Sequence, residues 1–233
     1  MRKLPLLACL LFAAGAAHAQ SLEDVGDTDS FGREMIFLGR ASGPLVTLRE
    51  DCSAAAPPEL CTAILAAPAS TSYERLGLAT VRLPARASNS LVCYEFAPVV
   101  SYTFNNRGTT DLPAGAFVVN GVIKLRSPVL TGYVNPNTGV AYNGEVTINA
   151  NLSSESLRLR PGDLNSKTIT PVRTCAATAI SKRVLRDALG MSAAQAERFF
   201  NSEITLEFGL AGQARLVTFG FLRLDVRVYG DDR

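Results

Sequence analysis

The sequence predicts an all-β protein: an immunoglobulin-like β-sandwich with a short helical hairpin inserted near residues 180–200. Three observations predict it. Apolar and polar residues alternate with a period of two in several separate segments, which is the pattern of strands with one buried and one wet face. Turn dipeptides punctuate those segments, Asn-Gly at 120–121 and 143–144 and Pro-Gly at 161–162. One stretch alone, residues 180–200, switches to helical spacing.

The chain opens as an export signal does. Arg2 and Lys3 supply positive charge, residues 4–14 a short apolar run, and Ala17-His18-Ala19 the small residues that a signal peptidase reads. The expected organisation is a signal peptide over 1–19 and one β-sandwich domain over 20–233. Its apolar run is shorter than the roughly 20 residues of a membrane span, and no later segment is longer, so no transmembrane helix is expected in the mature chain. A lipoprotein reading with Cys9 acylated leaves too short a run before the cysteine and is set aside. The alanine-rich signal points to a bacterial chain placed in the periplasm or outside the cell. In that route Asn151-Leu152-Ser153 has no meaning as a glycosylation pattern.

After the signal comes "DVGDTDSFG", the stretch that most resembles a metal site. Read as an EF-hand loop, Asp27, Asp29 and Gly32 fall where such a loop wants them. Phe31 and Leu38 then stand where oxygen ligands belong, so the loop is no EF-hand. A looser calcium site using Asp24, Asp27 and Asp29 is the alternative to a plain acidic segment ahead of the strand "MIFLG".

Four cysteines remain once Cys9 leaves: Cys52, Cys61, Cys93 and Cys175. An even count in an exported chain, at spacings of 9, 32 and 82 with no Cys-x-x-Cys, points to disulfides rather than zinc. The expected pairs are Cys52–Cys61, closing the proline-containing loop "SAAAPPEL", and Cys93–Cys175.

The strands follow. In "LVCYEFAPVVSYTFNN", Val92, Tyr94, Phe96, Val100, Tyr102 and Phe104 share a face, and Pro98 marks a bulge or an edge. Hairpin turns are expected at Asn120-Gly121 and Asn143-Gly144, and a turn between two strands at Pro161-Gly162-Asp163. Ile180, Val184, Leu185, Ala188 and Leu189 then recur at helical spacing until Gly190, and Ser192 with Gln195 forms a capping-box pattern for a second helix. Ile204, Leu206, Phe208 and Leu210 alternate next, and Leu222, Leu224, Val226 and Val228 close the series. Val217, Phe219 and Phe221 have the opposite parity, which predicts a bulge or bend beside Gly220. Residues 222–229, long and regular, are expected at a sheet edge where another strand can add, unless Arg223, Asp225 and Arg227 act as gatekeepers there.

The composition narrows the chemistry further. His18 is the only histidine and leaves with the signal, so the mature chain has no Ser-His or Cys-His mechanism and no histidine metal ligand. Without Arg2 and Lys3, 21 basic side chains face 21 acidic ones, and no basic tract invites nucleic acid. Export and flanking strands argue in the same way against reading residues 180–200 as a DNA-binding helix-turn-helix. Ser181 and Lys182 adjoin on a helix and point about 100° apart, which suits a helix start better than a Ser-Lys base. Glu95, opposite the apolar face of its strand, is the carboxylate to watch for glycoside hydrolysis, and Tyr133 and Tyr142 are candidates for stacking on a sugar. The function expected is a non-enzymatic binding, adhesion or assembly module of the bacterial envelope, with another envelope protein or a surface glycan as partner and no cofactor. The alternatives are a carboxylate-based glycan hydrolase and a calcium-dependent carbohydrate-binding module.

Overall fold

The computed structural model describes residues 34–66, 68–172 and 180–231. The predicted signal peptide, Asp24, Asp27, Asp29 and Cys175 lie outside the described residues. Strands dominate: β1 (Met35–Arg49), β2 (Leu60–Ala63), β3 (Ser70–Leu83), β4 (Leu91–Phe96), β5 (Val99–Asn105), β6 (Leu112–Arg126), β7 (Glu145–Leu159), β8 (Leu164–Ile169) and β9 (Ile180–Ser181). Two short helices follow, α1 (Lys182–Asp187) and α2 (Ala193–Phe200), and then β10 (Ile204–Arg215) and β11 (Val217–Asp231). Among the described residues no helix is long and apolar enough to cross a membrane.

The strands form two sheets that pack face to face. The smaller has the order β3-β10-β6-β7, all antiparallel. The larger has seven strands built around β11, with β1 along one edge of it and β4 and β5 along the other. β2 adds to β1 in parallel, β9 to β4, and β8 to β5. This arrangement overturns the expected edge position of residues 222–229, because both sides of that strand are already paired. Arg223, Asp225 and Arg227 therefore guard no edge; they stand on the outer face of the sheet's central strand.

Alternation along each strand dictates which side chains meet between the sheets. Leu222, Leu224, Val226 and Val228 of β11 are buried, as are Leu206, Phe208 and Leu210 of β10. Rings from opposite sheets interlock, Phe96 against Phe208 at 5.6 Å edge to face and Tyr102 against Phe117 at 4.6 Å. Near the β7 and β8 rim, the Tyr102 hydroxyl and Lys167 Nζ both donate to the Glu155 carboxylate, linking β5 and β8 to β7. Burial, together with the hydrogen bond to Glu155, pushes the Tyr102 phenol well above its ordinary value.

β4 and β5 run along the same edge of β11 as one strand interrupted at Ala97 and Pro98, where Ala97 N–H donates to Asp225 O at 2.9 Å. The pairing pauses at Pro98 but keeps its register, Phe96 opposite Val226 and Val99 opposite Arg223, so the bulge or edge expected there is absent. The other expected irregularity is displaced: the register slips between Val217 and Phe219, and Leu216 takes a φ of 60°, whereas Gly220 sits in regular pairing. Gly220 is small for packing reasons, since a Cβ there would meet Leu48 Cβ at 3.1 Å.

The two Asn-Gly pairs part company. Asn143 (φ 51°) and Gly144 (φ 92°) form a left-handed turn closed by Glu145 N–H to Tyr142 O at 3.0 Å. Asn120 and Gly121 form no turn at all, and β6 runs straight through them, paired to β10 and β7. Phe117, Val119, Ile123 and Leu125 point inward on either side, and Gly121 occupies the one inward position that a side chain cannot. A Cβ at Gly121 would stand 2.6 Å from Phe96 Cζ. The turn at Pro161-Gly162-Asp163 is as expected, closed by Asp163 N–H to Arg160 O at 3.0 Å with Gly162 at φ 80°. It carries the chain from β7 in the small sheet to β8 in the large one.

The helical hairpin forms with the expected caps. Ser192 and Gln195 make both bonds of the capping box, and Ser181 Oγ accepts from Val184 N–H at the start of α1. Gly190, at φ 72°, lets the chain leave α1. Leu185, Ala196, Phe199 and Phe200 join the core, so the hairpin covers the sandwich with its apolar side.

Asp231 secures the far end of β11. Its carboxylate lies buried in the 88–91 loop and accepts from the N–H groups of Asn89, Ser90 and Leu91 at 2.9–3.1 Å and from both serine hydroxyls. Burial alone raises the pKa of Asp231, but the hydrogen bonds from Ser88, Ser90 and Leu91 outweigh it and bring the group down to about 2. A carboxyl whose folded pKa lies below its unfolded value stabilises the fold above the unfolded value, and that contribution is lost as the pH falls through the folded one.

Two outcomes are expected. Asp231→Asn lowers stability by on the order of 2 kcal/mol at neutral pH, and the gap to the wild type narrows as the pH falls from about 4 to about 2. Urea denaturation across that range measures both. Gly121→Ala, which drives a methyl group into the Phe96 ring, costs about 1–3 kcal/mol and lowers the melting temperature by several degrees. The loss is smaller when Phe96→Leu is made in the same chain, so thermal melts of the two single variants and the double variant show non-additivity.

Candidate functional site: the outer face of the larger sheet

Because the even-numbered residues of β11 from Leu222 to Val228 face the core, Phe219, Phe221, Arg223, Asp225, Arg227 and Tyr229 face outward. The neighbouring strands extend this row. Register places Arg40 of β1 directly opposite Arg227, Ser42 opposite Asp225, and Phe37 opposite Tyr229. On the other side Glu95 of β4 stands opposite Arg227.

At the middle of this face lies an open hollow of about 370 Å³, lined by Arg40, Ser42, Ala97, Arg223, Asp225 and Arg227. Local backbone irregularities shape it. The β4–β5 interruption places the small Ala97 on one wall, and β1 slips register between Phe37 and Gly39 and again between Ser42 and Leu45. The charges are arranged unequally. Arg227 Nη1 is 3.4 Å from Glu95 Oε1, and Arg223 Nε is 3.8 Å from Asp225 Oδ2. Asp225 also accepts from Ser42 Oγ. Arg40 is exposed and forms no ion pair among the described residues. Three guanidinium groups thus share a hollow with one carboxylate, Asp225, while Glu95 meets Arg227 from the neighbouring strand; Arg40 and Arg227 form a directly opposed cross-strand pair, where like charges destabilise.

Aromatic side chains flank the charged middle. Phe37 is 58% exposed and meets Tyr229 edge to face at 5.8 Å. Toward the opposite end of β11, Phe219 is 40% exposed.

The other expected site residues fall as follows. Glu95 reaches the outer face, ion-paired to Arg227. Tyr133 and Tyr142, both half-buried, stack on each other, 5.9 Å apart with planes 6° apart. They hold their loop in place, with the Tyr133 hydroxyl donating to Leu189 O and Asn135 Nδ2 donating to the Tyr142 hydroxyl. Ser181 caps α1, while Lys182 pairs with Glu197 of α2, so the two do not form a base and nucleophile. Cys52 and Cys61 are bridged, with Cα atoms 5.7 Å apart. Cys93 is wholly buried and disulfide-bonded, and its expected partner Cys175 lies outside the described residues. The same is true of the acidic stretch that holds Asp24, Asp27 and Asp29. Among the described residues no group of three or more Asp, Glu, Cys or His is placed to hold a metal ion.

The basic half of the hollow escapes sequence reading. Arg223 and Arg227 are visible there as the wet side of a strand, but Arg40 lies 187 positions before Arg227, and nothing local joins them. The one available signal is the alternation Arg-x-Asp-x-Arg itself, which puts three charges on one face. No protein-family model, no curated protein and no solved structure matches this chain.

The opposed arginines have a measurable consequence. Arg40→Gln removes a like-charge pair and raises stability of the ligand-free protein by roughly 0.2–1 kcal/mol at low salt. The gain shrinks as salt screens the pair, so melting temperatures at 20 mM and 500 mM salt, chosen to lie well below and well above about 0.1 M, test it.

Proposed function

We propose that this chain is exported by a bacterium and acts in the periplasm or outside the cell as a non-enzymatic binding module of the envelope. Its partner is a surface glycan or another envelope protein. The observation that carries this reading is the outer face of the larger sheet, an arginine-lined hollow with exposed aromatic side chains toward both ends of one rigid strand. The leader-like first 19 residues and the Cys52–Cys61 bridge support the oxidising location. In this reading residues 20–233 form one domain, and its two facing sheets, antiparallel except for the short β2 beside β1, support the immunoglobulin-like description. β11 serves as a rigid central support, and partners meet its side chains instead of its backbone.

The test is co-sedimentation of the oxidised mature protein with isolated bacterial envelope, beside a Ser42→Trp variant that fills the hollow. The wild type is expected in the pellet, the variant in the supernatant with an unchanged melting temperature, and no reducing sugar released. Equal sedimentation of both proteins overturns the assignment of this face. Sugar release that is lost on Glu95→Gln or Asp225→Asn replaces the module by a carboxylate hydrolase.

A further inference from the structure

The charge arrangement of the hollow specifies a ligand class, an inference that rests on reading this face as the binding surface. Asp225 and Glu95 each contact one arginine, which steadies Arg223 and Arg227 and leaves Arg40 with its guanidinium exposed. Of the hollow's three cations, Arg223 is balanced by Asp225 within it and Arg227 by Glu95 beside it, which leaves one negative charge, opposite Arg40, to be supplied from outside. Arginine forks match a carboxylate in planar, two-pronged fashion, which lysine does not. Alone, this would describe a site for any small oxyanion. The surroundings are more particular. Outward side chains on one strand stand about 6.6 Å apart, so Phe221 and Tyr229 lie about 26 Å from each other with Arg223, Asp225 and Arg227 between them. A ligand that uses both the charges and the rings is therefore long, extended and carries its acid groups along its length. Pyranose rings present apolar C–H faces that pack on aromatic side chains, whereas an acidic peptide has little to place on Phe37, Tyr229 or Phe219.

We propose that the hollow between Arg40, Arg223 and Arg227 takes a carboxylate of an acidic polysaccharide whose chain lies along β11 and stacks on the flanking rings. Because the partner's charge sits over Arg40, the like-charge pair with Arg227 becomes favourable once the carboxylate is bound.

Calorimetric titration of the oxidised mature protein tests this with three polymers: polygalacturonate, the same polymer fully methyl-esterified, and polyglutamate. Polygalacturonate is expected to bind, with an affinity that falls as salt rises, and the neutral ester and polyglutamate to bind at least about tenfold more weakly. Arg40→Gln and Arg227→Gln should each weaken polygalacturonate about tenfold, Arg40→Lys less, and Phe37→Ser measurably, all with the wild-type fold by circular dichroism. Equal binding of the neutral ester, or wild-type affinity in both Arg→Gln variants, overturns the proposal. Equal binding of polyglutamate overturns the saccharide and leaves a general carboxylate site. If polygalacturonate fails while envelope sedimentation is still abolished by Ser42→Trp, the ligand class is wrong and the binding face stands; if sedimentation is also indifferent to Ser42→Trp, the face itself is wrong.

Discussion

Strand β11 is paired along both of its edges, and the larger sheet has no other axis. Its strict alternation decides at once what fills the core and what the protein shows to solvent: Leu222, Leu224, Val226 and Val228 inward, three charged residues and three aromatic ones outward. A one-residue slip of this strand would exchange the two sets, burying Arg223 and Arg227 and exposing four aliphatic side chains. Register is therefore held hard, by the ladder of β1 on one side, by β4 and β5 on the other, and at the end by the buried Asp231 carboxylate bonded into the 88–91 loop.

Packing between the sheets depends on a second constraint, that large rings need small neighbours. Phe96 meets Phe208 across the sandwich and lies on Gly121 of β6, where even a methyl group has no room. Gly212 is small for a related reason: a Cβ there would lie 1.9 Å from the Val118 carbonyl oxygen and 2.6 Å from the Tyr73 hydroxyl oxygen that bonds to it. These glycines are extended strand residues and take no left-handed backbone, so their smallness serves contact and not turning. That is why the two Asn-Gly pairs, identical as dipeptides, do opposite things in the fold.

Much of this was legible in the sequence, because alternation and capping are local. The strands at both ends of the chain and at 92–104, the turn at Gly162 and the two capped helices follow from residues within one or two turns of each other, whereas β2 and β3 were not read from the sequence. The Cys52–Cys61 bridge is local too. Dipeptide turn signals misled where periodicity spoke against them: Phe117, Val119, Ile123 and Leu125 keep one parity straight through Asn120-Gly121. Strand neighbours were not legible at all. Nothing near residue 225 says that Ser42 will hydrogen-bond to it from 183 positions away, so a central strand was read as an edge and Arg40 was not joined to the charged row. The composition of the face was visible; its assembly was not.

The place of β11 in the chain also bears on the order in which the protein can take shape. Every other strand of the larger sheet precedes it, yet β1, β4 and β5 reach that sheet's middle only by pairing with it. While the chain is being synthesised, those earlier strands have no common partner, and the ring packing of Phe96 on Phe208 must wait for β10 as well. Such a chain has its decisive contacts at large sequence separation and closes them late. Lateness of this kind leaves the inner edges of β1, β4 and β5 without their common neighbour until β11 has been made.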